Sequence, residues 1–146
     1  MTRLLTLVVL GIAVVSTICE AKSKRIHVIA QVVQTGSTGD AANPQLGDQR
    51  ITIVDLFDES GAKVGTGVGA CTLVSIPPRD TLQQCLNTAV FAEGHIIFGG
   101  MAPLPEVGAV AQFGILGGTD DFSKARGEAI LVLTPTGDID SAFNLY

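Results

Sequence analysis

Short apolar segments separated by turn-forming residues constrain the fold of this chain more than any other feature. The segments are rich in Val, Ile, Leu and Phe, and Gly, Pro, Asp and Asn cluster between them. This pattern is typical of strands joined by short reversals, and no segment favours a helix. We therefore predict eight strands, at residues 25–34, 49–57, 62–76, 82–91, 95–101, 109–116, 125–133 and 139–146.

Eight short antiparallel strands in one domain can form either a sandwich or a closed barrel. We favour the barrel because closure removes exposed strand edges. Gly65, Gly67 and Gly69 lie on one face of the third strand, where they allow a sharp bend or the close approach of a neighbour. The predicted fold is an all-β, eight-stranded antiparallel closed β-barrel, which encloses room for one small hydrophobic ligand.

The composition excludes several classes of function. The chain has 146 residues, which suits one domain, and its net charge of -5 leaves no basic surface for nucleic acid. It contains neither a phosphate-binding loop nor a dinucleotide-binding fingerprint, so we expect no cofactor. His27 and His95 have no Cys or acidic residue at metal-ligand spacing, so we also expect no metal site.

The N-terminus has the pattern of a signal peptide. Arg3 supplies a positive charge, residues 4–15 form an apolar run, and small residues near Ala21 suit cleavage after that position. We predict a signal peptide at 1–21, a single barrel domain at 22–146, and a secreted or extracytoplasmic protein without stable membrane insertion. An uncleaved anchor, or a lipoprotein acylated at Cys19, remains an alternative.

Cys71 and Cys85 are the two cysteines that follow the predicted cleavage site. Folding the hairpin of the third and fourth strands about residues 77–80 places them nearly opposite one another, which favours a cross-strand disulfide in an oxidising compartment. Two separate buried thiols are the alternative.

The segment from Gly117 to Glu128 carries the densest set of candidate functional residues. Arg126 and Glu128 share one face of the seventh strand and are predicted to form a polar pocket floor, or alternatively a pair that only closes the barrel end. Asp120 and Asp121 are candidates for a proton-transferring acid, or alternatively for turn formation. Phe122 is the apolar plug of this loop.

The same segment, G-G-T-D-D-F-S-K-A-R-G-E, resembles the G-G-T-G-x-F-x-x-A-R-G segment of dirigent proteins and the related segment of allene oxide cyclases. Asp55-Leu56-Phe57-Asp58 and the run from Glu93 to Gly100 extend the resemblance. The resemblance implies an eight-stranded antiparallel barrel of calycin-like shape, often oligomeric, with a ligand cavity at one mouth. Arg126 then matches a pocket arginine, and Cys71 matches a pocket cysteine of the plant cyclases.

Some positions depart from that family pattern. Ala30 and Val32 stand where an acid and an amide would follow His27, and Val54 replaces another pocket amide. Allene oxide cyclase activity itself is therefore not expected. Ala30 and Val54 remain predicted ligand contacts.

Asp121, Phe122 and His95 complete the predicted ligand-binding set. The leading hypothesis is a secreted barrel that binds a small hydrophobic metabolite and guides its stereoselective cyclisation or coupling. Arg126 would stabilise negative charge, with Glu128 beside it, and Asp120 would move a proton. The alternatives are a non-catalytic carrier and a structural envelope or adhesion barrel. A homo-oligomer, dimer or trimer, is also predicted.

Overall fold

A computed structural model describes residues 23–40 and 42–146 of the chain. The predicted signal peptide at 1–21 lies outside the described residues. The strands are β1 (Lys24–Ser37), β2 (Gln49–Phe57), β3 (Lys63–Ser75), β4 (Leu82–Phe91), β5 (Gly94–Pro103), β6 (Val110–Gly118), β7 (Gly127–Leu133) and β8 (Ile139–Leu145), and a 3-10 turn spans Asp120–Phe122.

The strands form a closed barrel in which each pairs with its sequence neighbours. All pairs are antiparallel, and β1 closes the barrel against β8 from Lys24, opposite Leu145, to Ala30, opposite Ile139. The predicted fold class is confirmed. Closure satisfies the backbone donors and acceptors that an open sheet would leave along two edges.

β1 is longer than the sequence predicts, because residues 35–37, which we predicted to lie in a loop, pair with β2. Thr35, Gly36 and Ser37 pair with Thr52, Ile51 and Arg50 after a bulge at the position of Val33. A bulge inserts one residue and increases the local twist, so the strand stays paired as the barrel curves.

The glycines of β3 face the barrel interior and bring neighbouring strands close. A Cβ on Gly65 would lie 2.2 Å from the carbonyl oxygen of Val90, and one on Gly67 would lie 2.8 Å from a methyl group of Val54. Side chains from β2 and β4 occupy the space that these glycines leave. The predicted close approach along this strand is confirmed.

One end of the barrel is filled by aromatic side chains, and we call it the closed end. Phe91 of β4 packs against Phe122 of the 3-10 turn at 6.0 Å between ring centroids and against Phe143 of β8 at 6.2 Å. All three rings belong to the buried core. The segment that follows β6 therefore folds over the barrel and seals it.

The opposite end, which we call the open end, carries the disulfide. Cys71 and Cys85 are Cα partners in the β3–β4 ladder, and their sulfur atoms are bonded. The predicted disulfide is confirmed. Because both side chains face inward, the bond forms part of the interior wall at this end.

Candidate functional site

The open end contains a cavity of about 150 Å³, which we call the mouth chamber. Its wall is mainly apolar and comes from residues of seven strands, β2 to β8, and of the loop between β5 and β6. Residues that define it include Arg50, Cys71, Gln83, Cys85, Phe113 and Leu131. A dry apolar cavity of about 150 Å³ is large enough to hold benzene, so this chamber can take one ring.

A second cavity of about 70 Å³, the inner chamber, lies deeper in the barrel. The two chambers share wall residues, among them Thr52, Gly69, Asn87 and Leu131. Phe98 and Phe143 line the inner chamber and are themselves packed edge-to-face at 5.2 Å between ring centroids. The apolar interior of the barrel thus contains two adjoining chambers between the open end and the aromatic layer.

Arg50 is the cationic side chain of the mouth chamber. It lies at the start of β2, with Ser37 and Cys71 as Cα partners, and it is half-buried. Within residues 23–40 and 42–146, its guanidinium forms neither an ion pair nor a hydrogen bond. An arginine on an apolar wall that lacks a protein partner can bind an anionic group that enters the chamber.

Asn87 contributes its amide side chain to the wall of both chambers. Its Nδ2 is the one buried side-chain nitrogen or oxygen that lacks a hydrogen-bond partner in the described part of the chain. Leaving such a group unpaired costs about 1–3 kcal/mol. Gly69 makes room for this side chain, since a Cβ there would lie 2.4 Å from Oδ1 of Asn87.

Two other polar side chains on the interior wall have partners within the protein. Gln83 donates from Nε2 to the carbonyl oxygen of Pro103 at 3.0 Å, and the Ser141 hydroxyl donates to the carbonyl oxygen of Ile139 at 3.4 Å. These bonds fix the two side chains against the wall. Arg50 and Asn87 differ from Gln83 and Ser141 in having free hydrogen-bonding capacity.

The structure places Arg126 outside the cavity, so its predicted position at a pocket floor is wrong. Its side chain is exposed, and its Nη1 donates to the carbonyl oxygen of Ala125 at 2.7 Å. The contact with a loop carbonyl agrees with one part of the alternative, but Arg126 forms no ion pair with Glu128 within the described residues.

Glu128 faces the outside of the barrel, so the predicted polar floor is wrong for this residue too. Its carboxylate accepts hydrogen bonds from Asn144 at 3.1 Å and from Gln112, both on the outer face. The inward residues of β7 are Ala129 and Leu131, which pack in or against the core. Both faces of this strand are aliphatic, so hydrophobicity did not reveal which face turns inward.

Asp120 and Asp121 are exposed in the turn over the closed end. Asp120 has φ of 50°, and its carboxylate accepts from the Thr119 hydroxyl at 3.0 Å. The backbone N–H of Asp121 donates to the carbonyl oxygen of Glu93 at 3.1 Å. Neither carboxylate reaches either chamber, so their geometry is that of turn formation and not of a cavity acid.

Phe122 and His95 do not line the chambers either. Phe122 is buried in the aromatic layer that seals the closed end, which agrees with its predicted role as a plug but not with ligand contact at the open end. His95 is exposed at the start of β5. Its backbone N–H donates to the Thr119 hydroxyl at 3.0 Å, so it belongs to the closed-end turn.

Ala30 and Val54 line the inner chamber, and Cys71 lines the mouth chamber. These positions were predicted from the family resemblance, and their role in ligand binding stays a prediction. Sequence reasoning missed Arg50 and Asn87. The disulfide could have revealed both, because Asn87 is two residues beyond Cys85 on the same strand face and Arg50 is opposite Cys71.

A separate ionic cluster lies on the outer surface. His27 Nε2 lies 2.7 Å from Asp140 Oδ1, and its Nδ1 lies 3.1 Å from Glu59 Oε1. The hydrogen bond to Asp140, with a smaller contribution from Glu59, raises the pKa of His27 above its ordinary value. Ser60 is nearby, but its hydroxyl bonds to Asp58 at 2.6 Å, so the cluster presents no activated nucleophile.

Among residues 23–40 and 42–146, no three His, Cys, Asp or Glu side chains are grouped so that they could hold a metal ion. In that same part of the chain, no helix has the length and apolar character that a membrane crossing requires.

Comparison with solved structures identifies similar barrels. A pyocyanin demethylase aligns with a TM-score of 0.74 at 22% identity, covering 84% of this chain and 100% of that one. AbnU, described as an exo-specific intermolecular Diels-Alderase, aligns with a TM-score of 0.71 at 17% identity, covering 84% and 97%. The Diels-Alderase AbmU from Streptomyces koyangensis gives 0.73 at 16% identity, covering 85% and 63%.

These identities establish a common fold and leave the activity open. No curated protein matches the sequence significantly. The family model described as the allene oxide cyclase barrel-like domain matches residues 29–145, which span all eight strands in whole or large part. The closed barrel, its register and this match together show that the chain belongs to the allene oxide cyclase barrel-like family.

Proposed function

We propose that this barrel binds one small, mainly apolar molecule and holds it in a conformer that cyclises or couples. The observation that carries the proposal is the apolar interior of the barrel, which contains the mouth chamber and the adjoining inner chamber. It is open at one end and sealed at the other by aromatic side chains. Similar barrels described as Diels-Alderases support a role in bond formation by confinement.

Confinement can accelerate such a reaction without an acid or a base, because a folded conformer with aligned reacting atoms has already lost its conformational freedom. The inner chamber is lined by neither an acidic residue nor a histidine. Negative charge that develops near the mouth would be stabilised by Arg50, which takes the role that the sequence assigned to Arg126. No proton transfer by Asp120 or Glu128 is needed.

A non-catalytic carrier is the second candidate. The absence of an acid or a base from the inner chamber favours it, because binding alone requires only shape and a few polar contacts. The two candidates share the site and differ only in whether the ligand leaves unchanged.

Export belongs to this proposal. The signal-peptide pattern of residues 1–21 and the disulfide between Cys71 and Cys85 support an extracytoplasmic location, where such bonds persist.

Self-association as a dimer or trimer is also proposed. Exposed aliphatic side chains in one row across β2, β3 and β4 support it, with Ile51 at 47% and Leu86 at 55% on either side of Ala70.

A cavity-filling substitution tests the site. Ala111 of β6 lines the mouth chamber, so Ala111→Phe should fill much of it and abolish ligand retention. Ala62, in the turn before β3, is exposed and lines neither chamber, so Ala62→Phe is the matched control. Native mass spectrometry after exposure to a metabolite extract should show a bound small molecule in the wild type and in the control only. Equal occupancy in both variants would place the ligand elsewhere.

The chemical identity of the bound compound then distinguishes the two candidate functions, a protein that guides a reaction and a non-catalytic carrier. Released ligand is compared with the compound recovered after incubation with wild-type protein, with the Ala111→Phe variant, and without protein. A cyclised or coupled product with one stereoisomer in excess, seen with wild type only, supports the guiding role. Quantitative recovery of unchanged ligand supports the carrier.

A further inference from the structure

We infer that the cavity is selective for a compact organic monoanion: an apolar body of one or two rings that carries a carboxylate at Arg50 and a second oxygen at Asn87. The inference rests on the proposed function, because it assumes that the two chambers hold a small molecule. It adds the charge, the size and the polar pattern of that molecule.

Arg50 determines the charge. Its guanidinium lines the mouth chamber without an ion pair or a hydrogen bond in the described part of the chain. A planar guanidinium matches a carboxylate with two parallel hydrogen bonds, and the apolar wall strengthens such a pair by excluding water. A neutral occupant would leave this charge on an apolar wall without a partner.

The ligand charge is limited to one. The other charged residue on the wall of the mouth chamber is Glu106, which is exposed and negative. A second negative charge on the ligand would find no cation there and would be repelled by Glu106. Phosphate esters and dicarboxylates are therefore disfavoured relative to monocarboxylates.

Asn87 determines the second polar contact. Its buried Nδ2 has no partner in the described residues and can donate to a carbonyl, ether or hydroxyl oxygen. In the barrel register, Thr52, Gly69 and Asn87 form the layer directly below Arg50, Cys71 and Cys85. The two layers are two residues apart, or about 7 Å along the strands, so the ligand oxygen lies roughly one ring below its carboxylate.

The size of the two chambers limits the apolar body. The mouth chamber of about 150 Å³ takes one ring, and the inner chamber of about 70 Å³ takes a short extension before the aromatic layer. A long acyl chain would have to pass through the packed rings of Phe98 and Phe143. The structure therefore favours compact acids over long-chain acids.

The test of the charge uses 2-naphthoate and its uncharged methyl ester at neutral pH, with affinities measured by isothermal titration calorimetry. Naphthalene fluorescence gives a second readout, since the chain contains no Trp. Wild type should bind the acid at least tenfold more tightly than the ester. Arg50→Met should remove this preference while the affinity for the ester changes less than threefold.

Two further variants support the interpretation. Arg79→Met, at an exposed turn residue outside both chambers, should keep the full preference. Arg50→Lys keeps the charge without the planar fork and should retain a preference that is several-fold smaller. Arg50→Lys also serves as the test variant if Arg50→Met does not fold, as judged by its thermal unfolding.

The Asn87 contact has its own probe. 6-Hydroxy-2-naphthoate adds an oxygen at the far side of the ring system and should bind wild type about fivefold to tenfold more tightly than 2-naphthoate. Asn87→Leu, which has nearly the same shape, should abolish this gain and leave the preference for acid over ester intact.

The outcomes distinguish the inference from the proposed function. If acid and ester bind wild type equally, or if the preference survives Arg50→Met, the inference is overturned while the cavity remains a binding site. Palmitate binding more tightly than naphthoate would overturn the limit on size. If no probe binds wild type, or if Ala111→Phe binds all of them as wild type does, the proposed function itself fails.

Discussion

The closed end and the open end of this barrel carry different inward-facing side chains. At the closed end, Phe91, Phe122 and Phe143 fill the interior, and the loop that supplies Phe122 covers it. At the open end, Arg50 and Asn87 face space and have no partners in the described part of the chain. The family-like segment contributes to stability at one end, and the candidate site lies at the other.

This difference shows how a conspicuous motif can mislead. The segment from Gly117 to Glu128 is constrained because it must turn tightly over the barrel. A Cβ on Gly118 would lie 2.3 Å from the carbonyl oxygen of His95, so the packing there demands glycine. The less conspicuous residues of the open end face the cavity. Four experiments test this difference between the two ends, and we give them in decreasing order of the change that we expect.

Removing the closed-end plug should have the largest effect. Phe122→Ala deletes a buried ring that packs on Phe91, and we expect a loss of about 3–5 kcal/mol in the free energy of unfolding. Leu116→Ala, at an outward position that is 60% exposed, should change it by less than about 0.5 kcal/mol. Urea denaturation measures both. Similar values for the two variants would mean that the closed end is not sealed by packing.

Removing the disulfide should have the next largest effect. The double substitution Cys71→Ala and Cys85→Ala opens a cross-link between residues 14 apart and should lower the free energy of unfolding by about 3 kcal/mol. The oxidised wild type should lose a similar amount on adding a thiol reductant, and the double variant should lose nothing. A reductant effect on the double variant would show that the loss does not come from this bond.

The two arginines give the most direct comparison. Arg126→Gln should leave the affinity for 2-naphthoate within about twofold of wild type and the free energy of unfolding within about 0.5 kcal/mol, because its guanidinium is exposed. Arg50→Gln should weaken naphthoate binding about tenfold or more, since a charge-assisted hydrogen bond is lost. A tenfold loss in Arg126→Gln with unchanged binding in Arg50→Gln would return the site to the closed end.

The smallest effect concerns the outer cluster of His27, Asp140 and Glu59. Because the folded state raises the pKa of His27, its contribution to stability is fully present below the ordinary value of 6.5 and is lost as the pH rises through the raised value. The side chain is 31% exposed, so the contribution should stay below about 1 kcal/mol.

Unfolding curves of wild type and His27→Gln over this pH range measure that contribution. Their difference should shrink above the raised pKa. A difference that grows with pH would contradict the sign of the shift.

Much of the fold could be predicted from the sequence. β2 and β4 have the predicted bounds, and the other strands differ from their predicted ends by a few residues. Strands of this kind are recognisable because their apolar residues are bounded by Gly, Pro and Asp turns. The pairing of Cys71 with Cys85 followed from the length of the hairpin between them.

The site was predicted less well, because it depends on which face of each strand turns inward. β7 has aliphatic residues on both faces, so Arg126 and Glu128 seemed to share a buried face with Ile130. The register shows the opposite phase, with Ala129 and Leu131 packed inside. A shift of one residue moves every side chain to the other face, so an error in phase moves an entire predicted site.

The sequence alone determined the class of fold, the order of the strands and the position of the cross-link, because turn residues and alternating side chains act locally along the chain. Which end stays open depends on the three-dimensional fold, because closure brings β1 beside β8 and Phe122 lies over one end. Arg50 and Asn87, 37 positions apart, face a common space because only β3 lies between their strands, with Cys71 opposite Arg50 and the small Gly69 opposite Asn87.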